Sequence, residues 1–234
     1  MSRATVFAAY RRGRRERGQS LVEFAVLVPV FMLILIGMLE FGLMFNHDLT
    51  LQYASREGAR VGSALGCGAN SNIPTCDYAL PNCTPVPSPG CDEVDKYIVA
   101  AVQRVLEASG SPINMSQIGS ITIFRATSTG GVVGSSTDTW TYSKGNGPSV
   151  SGAALDFVRQ GSNGWADSTR VTSATETTNC GSGLSTCPDS IGIKITYQYL
   201  YVTPLAAVMR FFGGPAASTQ SLNDQTVMAL NPTS

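Results

Sequence analysis

The feature that most constrains this chain is an apolar run over residues 21–45, which contains no Lys and no Arg. At about 1.5 Å per residue, an α-helix of this length exceeds the ~30 Å hydrocarbon core of a lipid bilayer. Its only charged residues, Glu23 and Glu40, would lie roughly 25 Å apart along the helix axis, one near each edge of the membrane. The run therefore predicts a single membrane-spanning helix.

The charges around this run are distributed unevenly, although they cancel over the whole chain. Residues 1–18 contain six Arg and one acid, Glu16, whereas the rest of the chain has more acidic than basic side chains. Basic flanks stay cytoplasmic, so we expect the N-terminus inside and the large C-terminal part outside. Because the Arg cluster adjoins an apolar run, we predict no nucleic-acid partner.

A candidate processing site lies where the basic segment meets the apolar run. Gly18 precedes Gln19, and Glu23 and Phe24 are the fifth and sixth residues after the glycine. The run is too long for the core of an ordinary secretory signal. Glycine lets a backbone be held extended in a protease cleft, and cleavage after it would leave an amine on Gln19 about one helical turn from Glu23. An uncleaved anchor with Glu23 at the membrane interface is the alternative.

The helix is expected to continue beyond the membrane, from about residue 20 to residue 64. Ala54, Gly58 and Gly62 recur every four residues and form a small-residue face, which we predict to make assembly contacts. Glu40 is predicted either to pair with an Arg or an amine of an assembly partner or to be a solvated carboxylate at the interface. His47 is interpreted as a side chain at the membrane interface, not as a catalytic base.

These motifs, taken in order, carry a resemblance to known proteins. The Gly18 site with its basic leader resembles the prepilin peptidase site of type IV pilins. Together with Pro29, the segment 37–42 and the segment 54–60, it resembles the TadE-like family of the tight-adherence (Tad, Flp or type IVc) pilus system. The resemblance covers residues 17–62. It implies a pseudopilin or minor pilin without enzymatic activity, whose Gln19 amine and Glu23 carboxylate pair between neighbouring subunits.

Six cysteines all lie on the C-terminal side of the apolar run: Cys67, Cys76, Cys83, Cys91, Cys180 and Cys187. An even number on the predicted outer side suits disulfides in an oxidising compartment. Their connectivity stays open, and free thiols are the alternative. Without a Cys-x-x-Cys pair, and with His47 as the only histidine, we predict no metal site.

The remainder of the chain predicts an α+β domain outside the membrane. An amphipathic helix is expected from Asp92 to about Gly110, followed by strands at 121–126, 139–143, 192–202 and 219–230. Residues 127–136 and 149–190 are expected to lack regular structure. The apolar segment 205–212 is too short to span a membrane, and we expect it to pack on the sheet or to enter the membrane interface.

The predicted organisation is therefore a basic cytoplasmic leader (1–18), a transmembrane and extended helix (19–65) and an extracytoplasmic, disulfide-braced α+β domain (66–234). No catalytic constellation is present, and we predict no enzymatic activity and no cofactor. The family resemblance implies a single-pass protein of the bacterial inner membrane that acts in pilus assembly and surface adhesion, with a prepilin peptidase, other pilins and pilus-assembly membrane proteins as partners. The alternative is an uncleaved anchor whose Cys-rich outer domain binds a surface ligand.

Overall fold

The computed structural model describes residues 4–65, 94–127, 129–161, 164–166, 170, 189–214 and 218–230, with side chains from Ser20 onward except that of Phe212. The chain divides into two compact units. The first consists of Met1–Met44 and Leu200–Thr219, and the second of Phe45–Tyr199 and Gln220–Ser234. All six cysteines lie outside the described residues, and so do the predicted disulfides.

The first helix, α1 (Ala4–Ala64), is continuous over 61 residues. It confirms the expected helix through residue 64 and begins earlier than we predicted, within the basic leader. Pro29 lies inside the helix, where its ring removes one backbone donor. The second helix is α2 (Val94–Leu106), and the third, α3 (Leu205–Gly213), ends at Gly214, which has a positive φ of 77°.

The strands confirm the α+β fold class. They are β1 (Ile118–Ala126), β2 (Val132–Tyr142), β3 (Ser149–Val150), β4 (Ala153–Ala154), β5 (Phe157–Gln160), β6 (Ser190–Leu200) and β7 (Thr219–Ala229). Five of them form a sheet in the order β5-β2-β1-β6-β7, and β3 and β4 form a separate pair. The β1–β2, β1–β6 and β2–β5 pairs are antiparallel.

Two expectations about this region are wrong. Residues 127–136 are not all loop, because β2 already begins at Val132, where it pairs with Ala126 of β1. Residues 149–160 contain β3, β4 and β5, which the polar sequence did not reveal. In both places hydrogen bonds to a neighbouring strand outweigh the weak strand propensity of Gly and Ser.

The core of the second unit is the place where the C-terminal part of α1 meets α2 and β6. A Cβ atom at Gly58 would lie 2.6 Å from Cγ2 of Val102, and one at Gly62 would lie 2.7 Å from Cδ1 of Ile191. Glycine therefore sets how closely the helix approaches α2 and the sheet. Alternate residues of β6, including Ile193 and Tyr197, are buried against this core.

Substituting Gly58 by Leu should reduce the free energy of unfolding by about 1–3 kcal/mol, because the added atoms overpack this contact. Gly37→Leu is the matched control, since no atom lies within 4 Å of a Cβ built at Gly37 of the same helix. Thermal unfolding of the detergent-solubilised proteins, followed by Trp fluorescence, compares the two. Equal midpoints would show that the close approach at Gly58 does not contribute to stability.

Candidate functional site

The apolar run of α1 is exposed along its length. Most of its large apolar side chains from Leu21 to Phe45 are between 38% and 68% exposed, whereas Val28, Ile36 and Met44 are partly buried. By length and composition, α1 is the one helix of the described residues that can cross a membrane, and no part of its most apolar window is buried by the rest of the chain. An apolar surface of this size requires lipid or other protein around it.

The predicted processing site lies within the regular part of α1. The peptide bond between Gly18 and Gln19 is helical, so a protease that binds an extended substrate would first have to unwind this turn. Glycine at position 18 makes unwinding easier, because it lowers helix stability by about 1 kcal/mol relative to Ala. Cleavage at this bond stays a prediction, and so does the pairing of Glu23.

Glu40 makes a polar contact through both of its carboxylate oxygens within the first unit. The backbone N–H of Val202 donates to Oε1 at 3.0 Å, and the N–H of Thr203 donates to Oε2 at 2.9 Å. The side chain is 2% exposed. Both carboxylate oxygens thus bind the segment that leads into α3.

The position of this carboxylate suits its charge. It lies at the amino end of α3, where the partial positive charge of the helix dipole stabilises an anion. Hydrogen bonds from N–H groups to an ionised carboxylate are stronger than bonds between neutral groups, and they offset part of the cost of removing the charge from water. Glu40 therefore attaches residues 202–203 to the apolar run.

The structure gives Glu40 a contact within the chain that the sequence analysis did not predict. The carboxylate is not solvated, and the groups it binds in the structure are backbone amides of the same chain. Ala54, Gly58 and Gly62 are likewise buried within the chain, where both glycines contact α2 and β6. The structure contains one chain, so assembly contacts at these four positions stay predictions.

His47 is part of an aromatic group in the second unit. Its ring centroid lies 5.7 Å from that of Tyr197 and 4.9 Å from that of Tyr199. Both tyrosines belong to the buried face of β6. The contacts give the imidazole a packing role between α1 and the sheet.

A second polar contact attaches α1 to the last strand. Ser55, fully buried, has its Oγ 2.8 Å from Oγ1 of Thr226 and in hydrogen-bond contact with Oδ2 of Asp224. These residues lie 169 and 171 positions apart in the chain, so no local pattern pointed to them. The contact fixes the rotation of α1 against β7.

An ion-pair cluster braces α2. The buried Asp95 accepts from Nη2 of Arg170 at 2.5 Å and from Nη2 of Arg159 at 3.3 Å. The two guanidinium groups also lie over aromatic rings, Arg170 over Trp165 and Arg159 over Trp140. The arrangement is that of a structural brace, since Asp95 and Arg170 are buried and both ion pairs join residues far apart in the chain.

Asp138 lies beside this brace. Its carboxylate accepts from the N–H groups of Gly164 at 2.9 Å and Trp165 at 3.1 Å. Burial raises the pKa of the Asp138 carboxyl and the nearby charge of Asp95 adds to the rise, whereas the two N–H bonds act in the opposite direction. The carboxylate orders the 164–165 segment against β2.

The described residues contain no group of three His, Cys, Asp or Glu side chains that is able to hold a metal ion. The cysteine candidates lie outside this part of the chain. The polar clusters that the structure does show bind backbone or side-chain groups of the same chain. The apolar run, with Glu40 attached to residues 202–203, is therefore the candidate functional site.

Comparison with known proteins finds a family match over the same segment of α1. Residues 18–60 match the model of the family described as TadE-like protein. The match contains the predicted processing site, the apolar run and most of the small-residue face. Searches of curated proteins and of solved structures each returned no match to the chain.

Removing the carboxylate in Glu40→Ala should leave the N–H groups of Val202 and Thr203 without their acceptor in the chain, so that both amides exchange more readily. The expected result is faster amide hydrogen exchange over residues 200–206, measured by mass spectrometry on the detergent-solubilised protein. Glu23→Ala is the control, since it removes the other carboxylate of the same apolar run. Unchanged exchange at residues 202 and 203 in Glu40→Ala would contradict the contact.

Proposed function

We propose that this chain, whose residues 18–60 match the TadE-like family, is a membrane-anchored structural subunit, a pseudopilin or minor pilin, of a Tad (Flp-type) pilus system. The observation that carries the proposal is the exposed apolar surface of α1 within the matched segment. A soluble monomer would leave this surface in water. Lipid before assembly, and neighbouring helices of the same kind afterwards, would each cover it.

The proposed topology follows from charge. The Arg-rich leader stays in the cytoplasm, α1 crosses the inner membrane, and the residues beyond about position 47 lie outside. A prepilin peptidase then removes residues 1–18. The N-terminal amine created on Gln19 lies about one helical turn from Glu23 and would pair with Glu23 of a neighbouring subunit.

The energy of a charge in the membrane supports this pairing. A carboxylate costs about 2.5–3.5 kcal/mol at the centre of a bilayer and less near the edge. Glu23 is therefore tolerable near the membrane edge and gains from a cationic partner as helices assemble. The sheet domain would lie outside the membrane. Its predicted disulfides and a role in surface adhesion are part of the same proposal.

The cleavage step predicts the mass of the mature protein. Protein purified from the membranes of its native host should begin at Gln19, which intact-mass and N-terminal peptide mass spectrometry detect directly. Gly18→Lys, which replaces the residue before the cut by one with a long side chain, is expected to retain the leader. A wild-type protein that still carries residues 3–17 would contradict cleavage and favour the uncleaved anchor.

The proposed pairing predicts a defect in pilus incorporation without a defect in membrane insertion. Glu23→Ala should leave membrane insertion intact and abolish incorporation into pili, because the Gln19 amine of the neighbouring subunit loses its partner. Glu57→Ala is the control, an acid of the same helix that pairs with Arg60 at 2.7 Å within its own chain. Immunoblots of sheared pili and of membranes measure both variants. Normal incorporation of Glu23→Ala would refute the pairing.

A further inference from the structure

A second apolar surface of the first unit lies outside α1. It consists of the segment before α3 and of α3 itself, and its exposed apolar residues are Leu200, Val202, Val208, Met209 and Phe211. Val202 is 73% exposed and Phe211 is 83% exposed. The residues from Ala207 to Phe211 are all exposed, and packing of this segment on the sheet stays a prediction.

The Glu40 contact fixes the position of this surface along the axis of α1. Val202 and Thr203 are bound at Glu40, and α1 remains apolar beyond it, with Phe41 and Phe45 both more than half exposed. Phe45 lies about 7.5 Å further along the helix axis. The amino end of α3 is therefore held beside a part of α1 that is itself apolar on its outside.

The start of α3 does not depend on water for its hydrogen bonds. A helix normally begins with four N–H groups that lack partners within the helix. Here the N–H of Leu205 donates to Oγ1 of Thr203 at 3.3 Å, and those of Ala206 and Ala207 donate to the carbonyls of Thr203 and Pro204 at 3.0 Å. Pro204 has no N–H. Together with the two amides bound by Glu40, every donor of this segment has an acceptor in the chain.

The distribution of charge on α3 matches a lipid surface. Arg210 is the only charged residue between positions 200 and 214. On a helix of 3.6 residues per turn it lies about 160° around the axis from Val208, whereas Phe211 lies about 60° from Val208. The apolar face is able to enter the acyl region of a bilayer while Arg210, on the opposite side, reaches the lipid phosphates.

We propose that residues 200–213 form a second membrane contact, in which α3 lies in the interfacial layer of the bilayer beside α1 and contacts phospholipid. The proposal rests on insertion of α1, which is part of the proposed function. We assign lipid as the partner of this surface for two reasons. Glu40 holds the segment beside the apolar run, and it accepts from backbone N–H groups that would have no acceptor in hydrocarbon. The contact would fix the position of this unit at the membrane surface before assembly.

Photocrosslinking of the full-length chain tests the contact. A benzoylphenylalanine probe replaces one residue at a time in protein reconstituted into vesicles of phosphatidylethanolamine and phosphatidylglycerol. The test position is Phe211. Phe41, 63% exposed in the apolar run, reports insertion of α1, and Tyr53, equally exposed on α1 but about 18 Å further along the axis, is the matched position expected in water.

The proposal expects lipid adducts at positions 41 and 211, both several-fold above the yield at position 53, as measured by mass spectrometry. Adducts at position 211 with a second copy of the chain in place of lipid would overturn the proposal. A yield at position 211 equal to that at position 53, with position 41 labelled, would also overturn it and leave the proposed function standing. No lipid adduct at position 41 would overturn insertion of α1 and both proposals with it.

Discussion

The large apolar surface that α1 exposes over residues 21–45 is the main physical constraint on this molecule. Each Å² of apolar surface left in water costs about 25 cal/mol, and here the large side chains along more than six turns of helix are exposed. No residue of its most apolar window is buried within the chain. Glu40, which is buried, binds the backbone of Val202 and Thr203 and so adds a further apolar segment beside the run.

One continuous helix serves two environments because its residue types change along its length. Up to Phe45 the outer positions are large and apolar, which suits lipid or neighbouring helices. From Leu51 onward small residues bring the backbone close to α2 and β6, as at Gly58 and Gly62, while Ser55 binds the last strand. The sheet domain is therefore built around the C-terminal part of α1.

The sequence predicted the elements that follow a regular local pattern, and it missed the contacts between residues that are far apart in the chain. The apolar run, the end of α1 at residue 64 and a strand near 192–202 each follow from a local pattern, and the structure confirms them. The acceptor role of Glu40 involves amides more than 160 positions away, and the Asp95–Arg170 pair spans 75 positions, so neither leaves a local pattern. Strand β2 was placed too late because its first half is rich in Ser and Gly, and its pairing with β1 supplies what its propensity lacks.

The central claim is that the apolar run is shielded from water and that the helix emerges from this shield near His47. The most direct measurement moves a genetically encoded spin label one residue at a time from position 21 to position 62 in the vesicle-reconstituted protein. Collision rates with oxygen and with a water-soluble nickel complex are recorded at each position. High oxygen and low nickel accessibility through position 45, with water exposure returning at outward-facing positions such as 53 and 56, is the predicted result. Nickel accessibility throughout positions 21–45 would contradict the claim.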